Sequence, residues 1–97
     1  MKTILVTGST DGIGREAARQ LGERGARVLV HGRSREKAER AAAALRAETE
    51  RDAFAPVAGD FARLDEVRAL AADVAARWPR LDGLVNNAGI YATERAT

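Results

Sequence analysis

The chain has 97 residues, with 16 Lys and Arg against 14 Asp and Glu, and a formal net charge of +2. That length fits about one small domain, and the near-balance of charge offers no single-sign block to a nucleic acid. The absence of cysteine and the single histidine exclude a disulfide framework, a thiolate or histidine-cluster metal site and a cysteine nucleophile.

The pI near 9.7 reflects a small excess of arginine, whose charge persists at high pH. Of 44 apolar residues, 21 are alanine, which leaves 23 larger ones for a core. Apolar runs are only a few residues long, so no membrane span is expected. Met1 to Val6 run straight into a glycine turn without the long apolar core of a signal peptide. A cytoplasmic protein with no membrane partner is the expectation.

Ile4-Leu5-Val6-Thr7, ending at Gly8, predicts the first strand. Ile13, Ala17 and Leu21 recur every four residues and predict the first helix, closed by Gly25. Val28-Leu29-Val30-His31 predicts the second strand, ending at Gly32. Ser34 is a candidate N-cap for a second helix whose apolar positions are Ala38, Ala41, Ala42 and Leu45. The run from Arg35 to Arg40 could be read as a basic patch, but Glu36 and Glu39 interrupt it. A solvated helix face is the better reading, and no nucleic-acid partner is expected.

Ala53-Phe54-Ala55-Pro56-Val57 predicts a third strand. Pro56 donates no backbone hydrogen bond, so this strand belongs at a sheet edge or enters the sheet late. Leu64, Val67, Leu70, Ala71, Val74 and Trp78 form the widest helical stripe, which Pro79 stops. Leu84-Val85-Asn86 predicts the fourth strand. Short apolar runs alternating with amphipathic helices predict an open α/β parallel sheet, with right-handed crossovers placing helices on both faces.

Thr7-Gly8-Ser9-Thr10-Asp11-Gly12-Ile13-Gly14 joins the first strand to the first helix. Its glycines differ in spacing from G-x-G-x-x-G, but the physics is that of a Rossmann turn. Gly8 permits the sharp turn, Gly12 lets a pyrophosphate approach the backbone, and Gly14 lets the helix pack on the sheet. The helix N-terminus offers N–H groups and partial positive charge to phosphate. The alternative is an ordinary glycine-containing βα loop.

Sites that prefer NAD place Asp or Glu at the end of the second strand. Here that place reads His31-Gly32-Arg33-Ser34. Arg33 offers a fork of donors to a 2′-phosphate, and Ser34 could add a hydroxyl. The cofactor expected is NADP(H) in preference to NAD(H). Otherwise Arg33 caps a surface turn. His31 reads as a strand-end residue with no assigned role.

With these features in place, the sequence resembles the short-chain dehydrogenase/reductase family. Residues Thr7 to Gly14 match its T-G-x-x-x-G-I-G. Asp60-Phe61 match its Asp plus apolar residue, and Asn86-Asn87-Ala88-Gly89 match its N-N-A-G. His31-Gly32-Arg33, Leu81-Asp82-Gly83-Leu84 and Ile90-Tyr91 are most similar to the retinol-dehydrogenase-type branch.

The resemblance implies a strand order 3-2-1-4 and a set of cofactor contacts. Gly8, Gly12 and Gly14 would shape the turn, and Ser9 and Thr10 would line the adenosine phosphate side. Ile13 would pack near the nicotinamide, and Arg33 would hold the 2′-phosphate. Asp60 would accept from the adenine amino group with the Phe61 backbone nearby, unless Asp60 is simply a loop cap. Asn87, Ala88 and Gly89 would border the ribose, while Asn86 would tie the central strands together.

The family's chemistry uses Tyr-x-x-x-Lys with an upstream Ser. Tyr91 is the only tyrosine, Arg95 stands where the lysine should be, and the pair lies too close to Asn86-Asn87-Ala88-Gly89. Ser9 and Ser34 belong to the cofactor end. No catalytic residue is therefore assigned.

Residues 1–97 read as the N-terminal part of a Rossmann NAD(P)-binding domain, with four strands and three helices. The complete enzyme would move hydride between nicotinamide and a carbonyl or secondary alcohol and would form a homo-oligomer. The 97 residues alone are expected to be inactive, to leave the fourth strand as an exposed edge and not to fold stably alone. Two other readings stand beside this one. The first is an NADP(H)-binding module, acting as a sensor or as half of a split enzyme. The second is a nonfunctional truncated chain.

Overall fold

In the computed structural model, which describes residues 1–87, the four short apolar runs pair as one parallel sheet. The strands are β1 (Thr3–Val6), β2 (Arg27–Gly32), β3 (Phe54–Ala58) and β4 (Gly83–Val85), and the helices between them are α1 (Gly12–Glu23), α2 (Arg35–Thr49) and α3 (Leu64–Arg77). The strand order is β3-β2-β1-β4. Pro56 lies opposite Val30 on β3, which pairs only with β2. The missing N–H therefore costs the sheet nothing on its open side.

Alternation along the strands divides the core in two. Val6, Val28, Val30 and Phe54 meet Ala18 of α1 and Ala41, Ala42 and Leu45 of α2 on one face. Leu5, Leu29 and Val57 meet Leu70 and Val74 of α3 on the other. The chain progresses from β1 to β3 in one direction, then returns to add β4 on the far side of β1. With right-handed crossovers, that reversal sends α3 to the opposite face. It also makes the C-terminal ends of β1 and β4 the switch point, where open α/β sheets form their ligand crevice.

The first helix corrects the expected stripe. Its buried residues are Gly14, Ala18 and Gly22, whereas Ile13 is 81% exposed and Ala17 and Leu21 are half-buried. The Phe54 ring sets this arrangement, because a Cβ at Gly22 would lie 2.2 Å from it. Small residues let α1 approach, and the large side chain comes from the sheet.

The stripe on α3 is only partly used: Leu70 and Val74 are buried, and Leu64 is exposed. Beside it, Leu5, Val67, Leu70, Trp78 and Leu84 border an open apolar groove of 490 Å³. Leu84 is 59% exposed, as expected for an edge strand. The α2 surface pairs Arg40 with Glu36 at 2.8 Å and Arg35 with Glu39 at 3.8 Å. The supposed basic run is thus a solvated, internally balanced face. Among the described residues, no helix is long and apolar enough to cross a membrane, and no cluster of three metal-ligating side chains occurs.

Candidate cofactor site

The turn between β1 and α1 is built on two left-handed glycines, Gly8 at φ 59° and Gly12 at φ 60°. Nothing lies within 4 Å of where a Cβ on Gly12 would point, so the backbone there is open to a ligand. The Asp11 side chain does not cap α1, which leaves the first N–H groups of that helix to a ligand or to water. Gly14 is closed instead: a Cβ there would meet the Gly8 carbonyl oxygen at 2.3 Å.

Polar side chains fasten this turn to the neighbouring strand ends. The Ser9 hydroxyl donates to the Val6 carbonyl at 2.7 Å and accepts from the His31 N–H at 2.8 Å. Ser9 is fully buried, so its side chain holds the turn rather than lining a ligand surface, and the expected lining role is corrected to that extent. The Asn87 amide donates to the Gly8 carbonyl at 3.1 Å. The Thr7 hydroxyl donates to the Asn86 side-chain oxygen at 3.3 Å, which ties β1 to the end of β4.

His31 is the residue that sequence reasoning passed over. Its Nδ1 accepts the Gly8 N–H at 2.9 Å, so its Nε2 carries the proton and donates to the Gly59 carbonyl at 2.7 Å. Burial pushes its pKa down, partly opposed by the Gly59 hydrogen bond. The ring stacks on Phe61 with centroids 4.6 Å apart and 17° between planes.

These strand ends enclose a pocket of 340 Å³, lined by Gly8, Thr10, Asp11, His31, Gly32, Arg33, Lys37, Asp60 and Phe61. Thr10, Arg33, Asp60 and Phe61, expected from sequence, come together here. Arg33 lies 4.0 Å from one Asp60 carboxylate oxygen, while the other accepts the Ala62 N–H at 3.0 Å. Asp60 is thus a loop cap that still faces the pocket. The Ser34 hydroxyl caps α2 by accepting the Lys37 N–H at 3.3 Å. Lys37, in the first turn of α2 and four residues after Arg33, also lines the pocket, a position that strand-end motifs do not single out. Ile13 projects to solvent outside this pocket. Ala88 and Gly89 lie outside the described residues.

A glycine turn opening a helix, a basic residue after β2 and an Asp after β3 now stand around one pocket. A family model described as short chain dehydrogenase matches residues 2–97. The chain belongs to the short-chain dehydrogenase family. This family of oxidoreductases supplies relatives along nearly the whole sequence. Dehydrogenase/reductase SDR family member 13 of Bos taurus is 45% identical over 94 residues, covering 97% of this chain and 25% of that protein. Retinol dehydrogenase 14 of Homo sapiens is 41% identical over 103 residues, covering 93% of this chain and 31% of that protein. The N-domain of a bacterial malonyl-CoA reductase, solved with NADP, is similar at 35% identity and a TM-score of 0.83, covering 89% of this chain and 16% of that one. The chain spans about a quarter to a third of the length of the curated relatives it matches.

Proposed function

We propose that these residues form the NADP(H)-binding part of a short-chain dehydrogenase that reduces a carbonyl or oxidises a secondary alcohol. The observation that carries the reading is the pocket at the ends of β1, β2 and β3, with the open Gly12 turn on one side and Arg33 and Lys37 on another. The residues fit a dinucleotide. Gly12 leaves room for pyrophosphate beside free helix N–H groups. Arg33 and Ser34 offer donors to a 2′-phosphate, and no carboxylate follows β2 directly to repel it. Asp60 and Phe61 border the adenine end, and Asn87, whose amide holds the Gly8 carbonyl, borders the ribose. Ile13, exposed at the start of α1, is read as packing near the nicotinamide.

When bound, the nicotinamide supplies or accepts the hydride. The residues described bind and orient it. Proton transfer needs a general acid or base within reach of the substrate oxygen, and none is assigned among these residues. The chain is therefore read as the N-terminal part of a larger catalytic domain. The same reading expects a cytoplasmic protein and a homo-oligomeric complete enzyme. Tyr91 followed by Arg95, in place of Tyr-x-x-x-Lys, favours a second reading for the 97 residues alone, as a binding module without turnover.

Titration with NADPH and NADH, followed by calorimetry, tests this. Tighter binding of NADPH is expected. Equal affinities would remove the assigned preference, and no binding of either cofactor would remove the site.

A further inference from the structure

His31 makes none of the contacts assigned to the cofactor, yet it is only 2% exposed and joins three segments. Its ring accepts from Gly8 after β1 and donates to Gly59 after β3. Its backbone N–H donates to the Ser9 hydroxyl and its carbonyl accepts the Ser9 N–H at 2.9 Å. The ring face supports Phe61, which lines the pocket. A ring that accepts at Nδ1 is neutral. Protonation would set Nδ1–H against the Gly8 N–H, and the turn would have to give up that bond.

We infer that His31 is a positioning residue for the cofactor turn: its neutral ring holds the Gly8 N–H and the Phe61 face, so the state of the ring and nucleotide binding are coupled. The inference rests on reading the pocket as the NADP(H) site. The charged groups around that pocket are Asp11 before α1, Arg33 after β2, Lys37 on α2 and Asp60 after β3. Glu66 of α3 accepts the Asp60 N–H at 2.9 Å and pairs with Arg63 at 3.2 Å. Two cations and two carboxylates line the pocket, so burial dominates the behaviour of the ring.

His31 is the only histidine, so its ring nitrogen signals are unambiguous by NMR. In the full 97-residue chain without cofactor, the Nε2–H tautomer is expected at neutral pH. The Gly8 amide should shift with the same midpoint as the ring when the pH is lowered. An Nδ1–H tautomer, or a Gly8 amide that ignores the ring, would overturn the inference, and this arm needs no substitution.

The second arm compares NADPH binding at pH 8 and at a pH below the ring midpoint found in the first arm, for the unmodified chain and His31→Gln. A phosphomonoester itself titrates near pH 6, so the informative quantity is the difference between the two profiles. The unmodified chain should lose on the order of tenfold more affinity than the variant, the size of one lost hydrogen bond. Identical profiles would refute the coupling. No NADPH binding at any pH, with ring and Gly8 still titrating together, would overturn the cofactor reading and the coupling built on it. The ring's hold on the turn would then stand.

Discussion

Helix α1 approaches the glycine turn so closely that a Cβ on Gly14 would stand 2.3 Å from the carbonyl oxygen of Gly8. The same carbonyl accepts the Asn87 amide at 3.1 Å. One peptide group therefore links β1, α1 and the segment after β4. Gly14→Ala should destabilise the chain by about 1–3 kcal/mol, the usual cost of overpacking. Urea unfolding measures this, and an unchanged midpoint would contradict the close approach.

Arg33 stands at the pocket rim with only a 4.0 Å contact to Asp60. Arg33→Asp should weaken NADPH binding by roughly 1–3 kcal/mol while sparing NADH, because a charge-assisted contact to the 2′-phosphate becomes a repulsion. Calorimetric titration with both cofactors reads the difference. Equal loss for both would refute the assigned role.

Ser34 caps α2 through its acceptor lone pair, which leaves its O–H free to donate to a phosphate. Ser34→Ala should cost about 1 kcal/mol of stability without cofactor, as for a lost N-cap, and should also lower affinity for NADPH but not for NADH. Lost stability with unchanged cofactor discrimination would reduce Ser34 to a cap alone.

The depressed pKa of His31 makes stability depend on pH. In the unfolded chain the ring takes its proton near its ordinary value of 6.5, and in the folded chain only at lower pH. Between those points the unfolded state binds more protons, so stability falls as pH drops below about 6.5 and levels off once the folded ring is protonated. A second decline is expected in acid. Hydrogen bonds from Arg19 and Gln20 hold Glu16 at a pKa of about 2, and Arg15 lowers that of Glu48. Denaturant midpoints measured across pH should show the first step in the unmodified chain and lose it in His31→Gln. A first step that persists in the variant would assign it to another group.

The 97 residues are expected to show no carbonyl-dependent oxidation of NADPH, since Tyr91 and Arg95 do not make the family's Tyr-x-x-x-Lys pair. Loss of NADPH absorbance with a panel of ketones and aldehydes is the measurement. Protein-dependent turnover would sink this prediction.

Much of the fold is legible in the sequence because its signals are local. Runs such as Val28-Leu29-Val30 read as buried parallel strands, Pro56 restricts its strand to an edge, and Ser34 starts a helix where its hydroxyl can cap. Gly8 and Gly12 likewise mark a turn whose backbone angles other residues rarely adopt.

What the tertiary structure alone decides is which groups meet across the sheet. Counting apolar side chains favours Ile13, Ala17 and Leu21 as the inner face of α1, but the Phe54 ring and the Gly8 carbonyl select Gly14, Ala18 and Gly22. Ser9 and His31 are separated by 22 residues and clasp one another, and no local pattern announces that bond. The elements and the glycine turn follow from local pattern, because backbone preference and hydrophobic period act over a few residues. Only parallel packing, which aligns strand ends distant in the chain, made His31 the fastener of that turn and Lys37 a second cation at its pocket.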